Sequence, residues 1–281
     1  MLSRLPLRKK VSYPNGISLC IVAACHERGS VRIVFSHDWK ITEGDASSEN
    51  TDKLAFVRRD WPAVFAGKPP YMDLMGDVFW DHLGTIEISA QNLEAEIQGA
   101  RGKFRRALID RDLRGRFGMG YDEFMAKGKK QFRGDEHKRI VDQMQMELSE
   151  DGVAMLLGGS IANVPYLYQV GELYAVPLDH FGAIGTGCDL ALRWLHWRGQ
   201  NEDLTLKQTL LNVYEAQRFG SMENAVGRIA SLYVLNKAGE LRQICPSFKA
   251  KLEREYRAIK KQQGIDLGED CYYSGKVEAA Y

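Results

Sequence analysis

The sequence predicts an α+β protein of four layers, an αββα sandwich in which two antiparallel sheets face each other and helices cover both outer surfaces. Three observations lead there. Short apolar runs of strand composition come in consecutive pairs joined by tight turns, these pairs recur in three groups along the chain, and two helical stretches separate the groups. Strands that follow one another through a tight turn pair antiparallel, and a helix with one apolar face needs a sheet to cover.

The elements follow in order. SLCIVAAC (18–25), the turn His26-Glu27-Arg28-Gly29 and SVRIVFSHD (30–38) read as a hairpin. KLAFVRR (53–59) and WPAVFAG (61–67), separated by Asp60, form a second strand pair that Gly67 and Pro69-Pro70 close. The apolar period then changes to three and four residues over 71–83, over about 90–110 and over 122–148, where Phe124, Ile140, Val141, Met144 and Leu148 mark one helix face. Strand composition returns in GVAMLLGG (152–159), PYLYQV (165–170) and ELYAVP (172–177), the last two joined at Gly171. A second helical pair covers 189–197 and 204–219, with Gln217 in step with Leu206, Leu210 and Val213. RIASLYVLNK (228–237) and ELRQI (240–244) make a last hairpin, and 248–263 a charged terminal helix. The chain therefore divides into an N-terminal extension or propeptide (1–17), one domain (18–245), and a C-terminal helix and tail (246–281). No Pro-, Ser- or Gly-rich linker and no internal repeat interrupts it.

Composition narrows the function classes. With 281 residues, 44% hydrophobic and 27% charged, the chain has the make-up of a globular protein that needs no disulfide or metal staple. Its 38 basic and 37 acidic side chains leave a net charge of +1, which argues against a dedicated nucleic-acid binder. The exception is 101–139, with thirteen Lys and Arg against six acids; few aromatics interleave them, so solvated helix faces or subunit contacts are the reading. Five dispersed cysteines without a CxxC pair predict reduced thiols and a cytoplasmic protein. The basic first ten residues carry no apolar core of a signal peptide, and no later run approaches roughly 18 uncharged apolar residues, so no membrane partner is expected. Six isolated histidines without an HExxH pattern predict no metal. Gly118-Met119-Gly120 and Gly185-Thr186-Gly187 lack the Lys-Ser/Thr that completes a phosphate loop, and no cofactor is expected.

Four segments carry a family resemblance. They are His37-Asp38-Trp39-Lys40-Ile41-Thr42; Asp52-Lys53-Leu54-Ala55-Phe56 with Val64-Phe65-Ala66-Gly67; LLGGSIANVPYLYQVGELYAVPLDHFGAIGTG (156–187); and the closing hairpin over 228–241. In order and spacing they resemble the β-type subunits of the proteasome and their bacterial relatives, members of the N-terminal nucleophile (Ntn) hydrolase superfamily. The likeness spans about residues 18–245 and leaves out the middle helices and both termini.

The resemblance implies a chemistry. A hydroxyl or thiol on the first residue of the mature chain attacks a carbonyl, and the free α-amine beside it, with an ordinary pKa of about 7.7–8.0, takes the proton. Carried over residue by residue, Ser18 takes the nucleophile's place, Lys53 the lysine's and Asp38 that of the aspartate orienting it. Gly187, in Gly185-Thr186-Gly187-Cys188, takes that of the backbone donor to the oxyanion. Lys40 stands where the family has arginine. Ser18 lies twenty residues before Asp38, a separation that a long turn over 26–30 would absorb. Ser18 follows Ile17, so its nitrogen becomes an amine only once that bond is cut; the family's usual cut after Gly would fall after Gly16 and leave Ile17 first. Cys20 is the thiol alternative, against its reading as a small packed strand residue. Near the site the family places an Asp and a Ser three apart; here Glu223 and Val226 take those places, and Val226 has no hydroxyl.

The resemblance thus implies a proteasome-like hydrolase of peptide or amide bonds, assembled with copies of itself as a homo-oligomer or ring. A catalytically silent assembly or binding subunit is the alternative, and an amidase of small metabolites a third reading.

Overall fold

β1 (Leu19–Glu27) and β2 (Ser30–Asp38) form the first hairpin, and their register pairs Glu27 with Ser30 across a two-residue turn. Arg28 and Gly29 both take positive φ, 51° and 71°, the left-handed turn whose twist matches that of the strands it joins. The long turn expected over 26–30 is therefore replaced by longer strands. It is the nine-residue length of each strand that separates Ser18 from Asp38. In the computed structural model, residues 18–38, 41–43, 46–48, 53–146, 148, 152–222, 226 and 230–262 are described.

A small hairpin of β3 (Ile41–Glu43) and β4 (Ala46–Ser48) follows, then β5 (Leu54–Arg58) and β6 (Trp61–Gly67), paired as the sequence predicts. Four helices come next: α1 (Pro69–Leu83), α2 (Leu93–Phe117), α3 (Tyr121–Gln131) and α4 (Gly134–Met144). The single helix expected over 122–148 is two, because Phe132 and Arg133 are extended, with ψ near 147° and 153°, ahead of Gly134. The break folds both helices over one satellite core of Leu113, Met119, Phe124 and Ile140. α2 outruns its predicted end by several residues that are mostly charged, with Leu113 as their buried anchor, and stops at Gly118 in the left-handed conformation.

The second half supplies β7 (Val153–Ile161), β8 (Val164–Gly171), β9 (Ala175–Leu178), β10 (Phe181–Gly185), α5 (Cys188–Trp197), α6 (Leu206–Gly220), β11 (Ala230–Leu235), β12 (Leu241–Gln243) and α7 (Pro246–Gln262). β10 is absent from the sequence prediction: its five residues, FGAIG, carry two glycines and little strand composition. Glu172, predicted to begin a strand, lies in the turn instead. Its fully buried carboxylate pairs with Arg105 of α2 and accepts the Leu148 amide at 2.8 Å, which ties α2 to that turn. α6 begins as a capping box: Thr205 accepts the Gln208 amide while the Gln208 side chain accepts the Thr205 amide.

The strands form two five-stranded antiparallel sheets, β10-β1-β2-β11-β12 and β5-β6-β7-β8-β9. They face each other through Cys20, Val22, Ile33 and Phe35 on one side and Val64, Ala66, Ala154 and Leu156 on the other. The alternate residues Ala63, Phe65, Val153, Met155 and Leu157 point out of the second sheet against Met75, Phe79, Ile97 and Phe104 of α1 and α2. This period of two explains why the central strands are apolar without interruption: each face is covered, one by a sheet and one by helices. On the opposite outer surface α5 and α6 pack on β10, β1 and β2. The arrangement is the four-layer αββα sandwich. The two sheets are also pinned at their hairpin tips, where Asn163 accepts the Val31 amide and donates to the Gly29 carbonyl, both at 3.0 Å.

The chain divides into two compact units, one ending at Gln243 and one beginning at Ile244. The described part of the second is α7, a charged helix carrying the i,i+4 pair Glu253 and Arg257 at 2.8 Å. Among the described residues no helix is long and apolar enough to cross a membrane.

Candidate active site

Ser18 immediately precedes β1, an inner strand of the first sheet between β10 and β2, and is 1% exposed. Asp38 ends the neighbouring strand β2, and Lys53 stands just before β5 of the other sheet. The sandwich brings these positions together. Asp38 Oδ1 accepts Lys53 Nζ at 2.6 Å and the Leu19 amide at 3.1 Å, so one carboxylate oxygen joins the lysine to the backbone directly after Ser18. Both side chains of the pair are shut from solvent. Burial of two charges is tolerable here because they satisfy each other and a backbone donor takes part of the carboxylate's capacity.

The opposite wall is built from glycines. Gly185 ends β10 across from Leu19, at φ +87°, and a Cβ there would fall 1.9 Å from the Ser18 carbonyl oxygen. Gly187 caps α5 at φ +80°, where a Cβ would lie 2.5 Å from the carbonyl oxygen of Gly220 at the end of α6. Both positions combine a left-handed backbone with a contact that leaves no room for a side chain. Gly187, the sequence-predicted oxyanion donor, therefore lies against the C-terminal end of α6, and Gly220 in turn packs against Leu19.

Two residues at this place escape the motif reading. Gln217 of α6 accepts the Ser36 hydroxyl at 3.1 Å and donates to the Leu19 carbonyl at 3.4 Å, so it clasps β1 beside Ser18. The signal for it exists in the sequence, since a glutamine in register with Leu206, Leu210 and Val213 sits on an otherwise apolar helix face. Ser36, a polar residue inside an apolar strand, is its partner.

The remaining candidates divide. Cys20 is fully buried and donates to the Phe65 carbonyl at 3.1 Å; burial pushes its thiol far up, only partly opposed by the nearby Lys53 charge, which keeps it a packed thiol. Cys188, first residue of α5, is likewise pushed up to about 11 by burial and by Asp189. His37 stacks on Tyr233 at 5.6 Å and turns its Nδ1 to the Asp38 carbonyl at 3.0 Å. Val226, standing where the resemblance places a hydroxyl, is buried at 4% exposure. Glu223 and residues 1–17 lie outside the described residues. Among the described residues no group of His, Cys, Asp and Glu could hold a metal ion.

Beside the Asp38–Lys53 pair opens a cleft of about 560 Å³ between β5 and α1. Lys53 and Phe65 form part of its lining, with Met72, Asp73, Gly76, Asp77 and Trp80 along α1.

No family model matches the chain, and no curated protein matches it. Among solved structures it is similar to "Anbu (ancestral beta-subunit)" from Yersinia bercovieri, with a TM-score of 0.60 over 89% of this chain and 97% of that one. The fold is proteasome-like. The identity is 13%, so what the two share is the course of the chain. A proteasome-like sandwich tolerates such divergence because its core asks for apolar side chains in period two and a few close backbone approaches.

Proposed function

We propose that this chain is an Ntn-type hydrolase of peptide or amide bonds, with Ser18 as its nucleophile once the bond after Ile17 is cut. The observation that carries the reading is the single oxygen of Asp38 that holds both the Lys53 ammonium and the amide following Ser18. Cleavage frees the Ser18 α-amine. That amine takes the proton from the Ser18 hydroxyl as its oxygen attacks the substrate carbonyl, and the Lys53 ammonium favours the charge developing on the oxygen. Asp38 keeps the ammonium in place, and the Gly187 amide donates to the tetrahedral oxyanion. Collapse expels the amine leaving group, which takes up the proton, and leaves an ester on Ser18. Water, deprotonated by the same α-amine, hydrolyses it and regenerates the enzyme. The proteasome-like fold supports assembly with further copies of the chain.

Intact-mass measurement of the purified protein, followed by assay on peptide amides, tests the reading. Loss of residues 1–17 is expected, together with hydrolysis, and Ser18→Ala should abolish both. Unchanged turnover in Ser18→Ala rejects the nucleophile. A chain that stays full length and inactive supports the second reading, a silent assembly or binding subunit, which the apolar Val226 favours.

A further inference from the structure

We propose that the outer face of α3, with Arg133 at the corner where α3 gives way to α4, is a docking surface for an acidic segment of a partner protein. Met125 and Ala126 form its apolar half, and Lys129, Lys130 and Arg133 its cationic half. The hydrolase chemistry uses none of these residues, so the docking stands or falls independently of it.

α3 buries Phe124 and Gly128, one helical turn apart, and Phe124 stacks on His137 of α4 at 5.1 Å. At about 100° per residue the other side of the helix carries Met125, Ala126, Lys129 and Lys130, all of them exposed. Met125 is 60% exposed, a large apolar side chain left open four residues before a lysine. Cations in a last helical turn suit the helix dipole, which accounts for Lys129 and Lys130. It does not account for Met125, and it opposes Arg133. That residue is the N-cap of α4, where a cation is disfavoured, and its side chain caps no amide. An exposed methionine and an arginine at the wrong end of a helix are retained at a cost to the isolated chain, which a partner would offset.

Charge sets this face apart from its surroundings. Cations around it are matched: Arg106 by Asp122, Arg114 by Asp110 at 2.6 Å, Arg116 by Asp112 at 2.8 Å and Lys127 by Glu123 at 3.0 Å. Among the described residues Lys129, Lys130 and Arg133 have no ion-pair partner, and Asp122 and Glu123 of the same helix are already taken. The occupant is therefore anionic. Met125 and Ala126 decide between a nucleic acid and a polypeptide, because a phosphate backbone offers a thioether and a methyl nothing to pack against, whereas a polypeptide brings apolar side chains with its carboxylates. Methionine adapts to such side chains and is enriched at protein interfaces. An acidic segment that also carries an aliphatic side chain lays it on Met125 and sets its carboxylates on Lys129, Lys130 and Arg133. The arginine can fork onto one of them.

The test uses the full chain and three labelled probes, read by fluorescence anisotropy at low and high salt: an amphipathic peptide of leucine and glutamic acid, its analogue with glutamine for glutamic acid, and a single-stranded oligonucleotide. The acidic peptide should bind about tenfold more tightly than the glutamine analogue, as three exposed charge pairs allow, and salt should erode the difference. Lys129→Gln/Lys130→Gln/Arg133→Gln should abolish that preference. Lys129→Glu/Lys130→Glu, which leaves the start of α4 untouched, should place the glutamine analogue ahead of the acidic peptide. Met125→Ser should weaken both peptides alike and keep their order. Equal binding of the two peptides by the unaltered chain overturns the proposal, as does a preference that survives in the triple glutamine variant. An oligonucleotide that binds more tightly than the acidic peptide and is lost in the same variant assigns the face to a nucleic acid and overturns it. Self-association of the unaltered chain that this variant abolishes assigns the face to a second copy and overturns it as well. All four positions are exposed, and unchanged thermal unfolding of each variant locates the effect on the face of α3.

Discussion

One oxygen of Asp38 holds two donors, the Lys53 ammonium at 2.6 Å and the Leu19 amide at 3.1 Å, in a place closed to water. Structural and chemical roles are therefore entangled in this pair, and they come apart by substitution. Lys53→Met leaves a buried carboxylate without its cation and should cost about 3–5 kcal/mol of stability. Asp38→Asn/Lys53→Met removes both charges while the amide oxygen still accepts from Leu19, and should recover most of that loss. Urea unfolding reads the stability. A double variant no more stable than the single one would show that the pair is not a mutually compensated one. On the proposed hydrolase reading, hydrolysis should be lost in both, because the charge that would favour the developing serine alkoxide is gone.

At the scale of elements, α3 and α4 stand apart from the sandwich. Leu113, Met119, Phe124 and Ile140 form a cluster of their own, separate from the cores that bind α1 and α2 to the sheets. Phe124→Ala should therefore cost about 3–5 kcal/mol in that cluster while leaving the sheets intact. Hydrogen exchange is the measurement: amides of 121–144 should lose protection and those of β1, β2, β6 and β7 keep it, and a uniform loss would refute a separate unit. The same elements show what a sequence can hide. The apolar residues over 122–148 can be read as one helix face, but two extended residues, Phe132 and Arg133, fold it back on itself, and nothing in their side chains announces a break. β10 was missed because FGAIG earns its place as a strand by pairing with β1, where glycine allows Gly185 to touch Ser18.

For the whole molecule the decisive surface is the one between the two sheets. Leu156 of β7 is fully buried there among Val64 and Ala66 of its own sheet and Phe35 and Ile33 of the other. Leu156→Ala should lower the stability of the sandwich as a single cooperative unit by about 2–5 kcal/mol, seen as a shifted denaturant midpoint with unchanged slope. Transitions that separate between near-ultraviolet and far-ultraviolet probes would contradict that unity.

The sequence by itself determined the fold class and most of the strand order, because apolar period and turn residues are local properties that each segment carries with it. Resemblance to a family pointed to Ser18, Asp38, Lys53 and Gly187, yet an isolated aspartate and lysine fifteen residues apart carry no local signal that they meet. Tertiary structure decided that, because only two sheets packed face to face bring the ends of β1 and β2 against the start of β5. The same holds for Gln217 beside Leu19 and for the cleft. In the sequence Asp73 and Asp77 are ordinary solvated helix charges, and they line a cavity because α1 lies against β5, the edge strand of its sheet among the described residues.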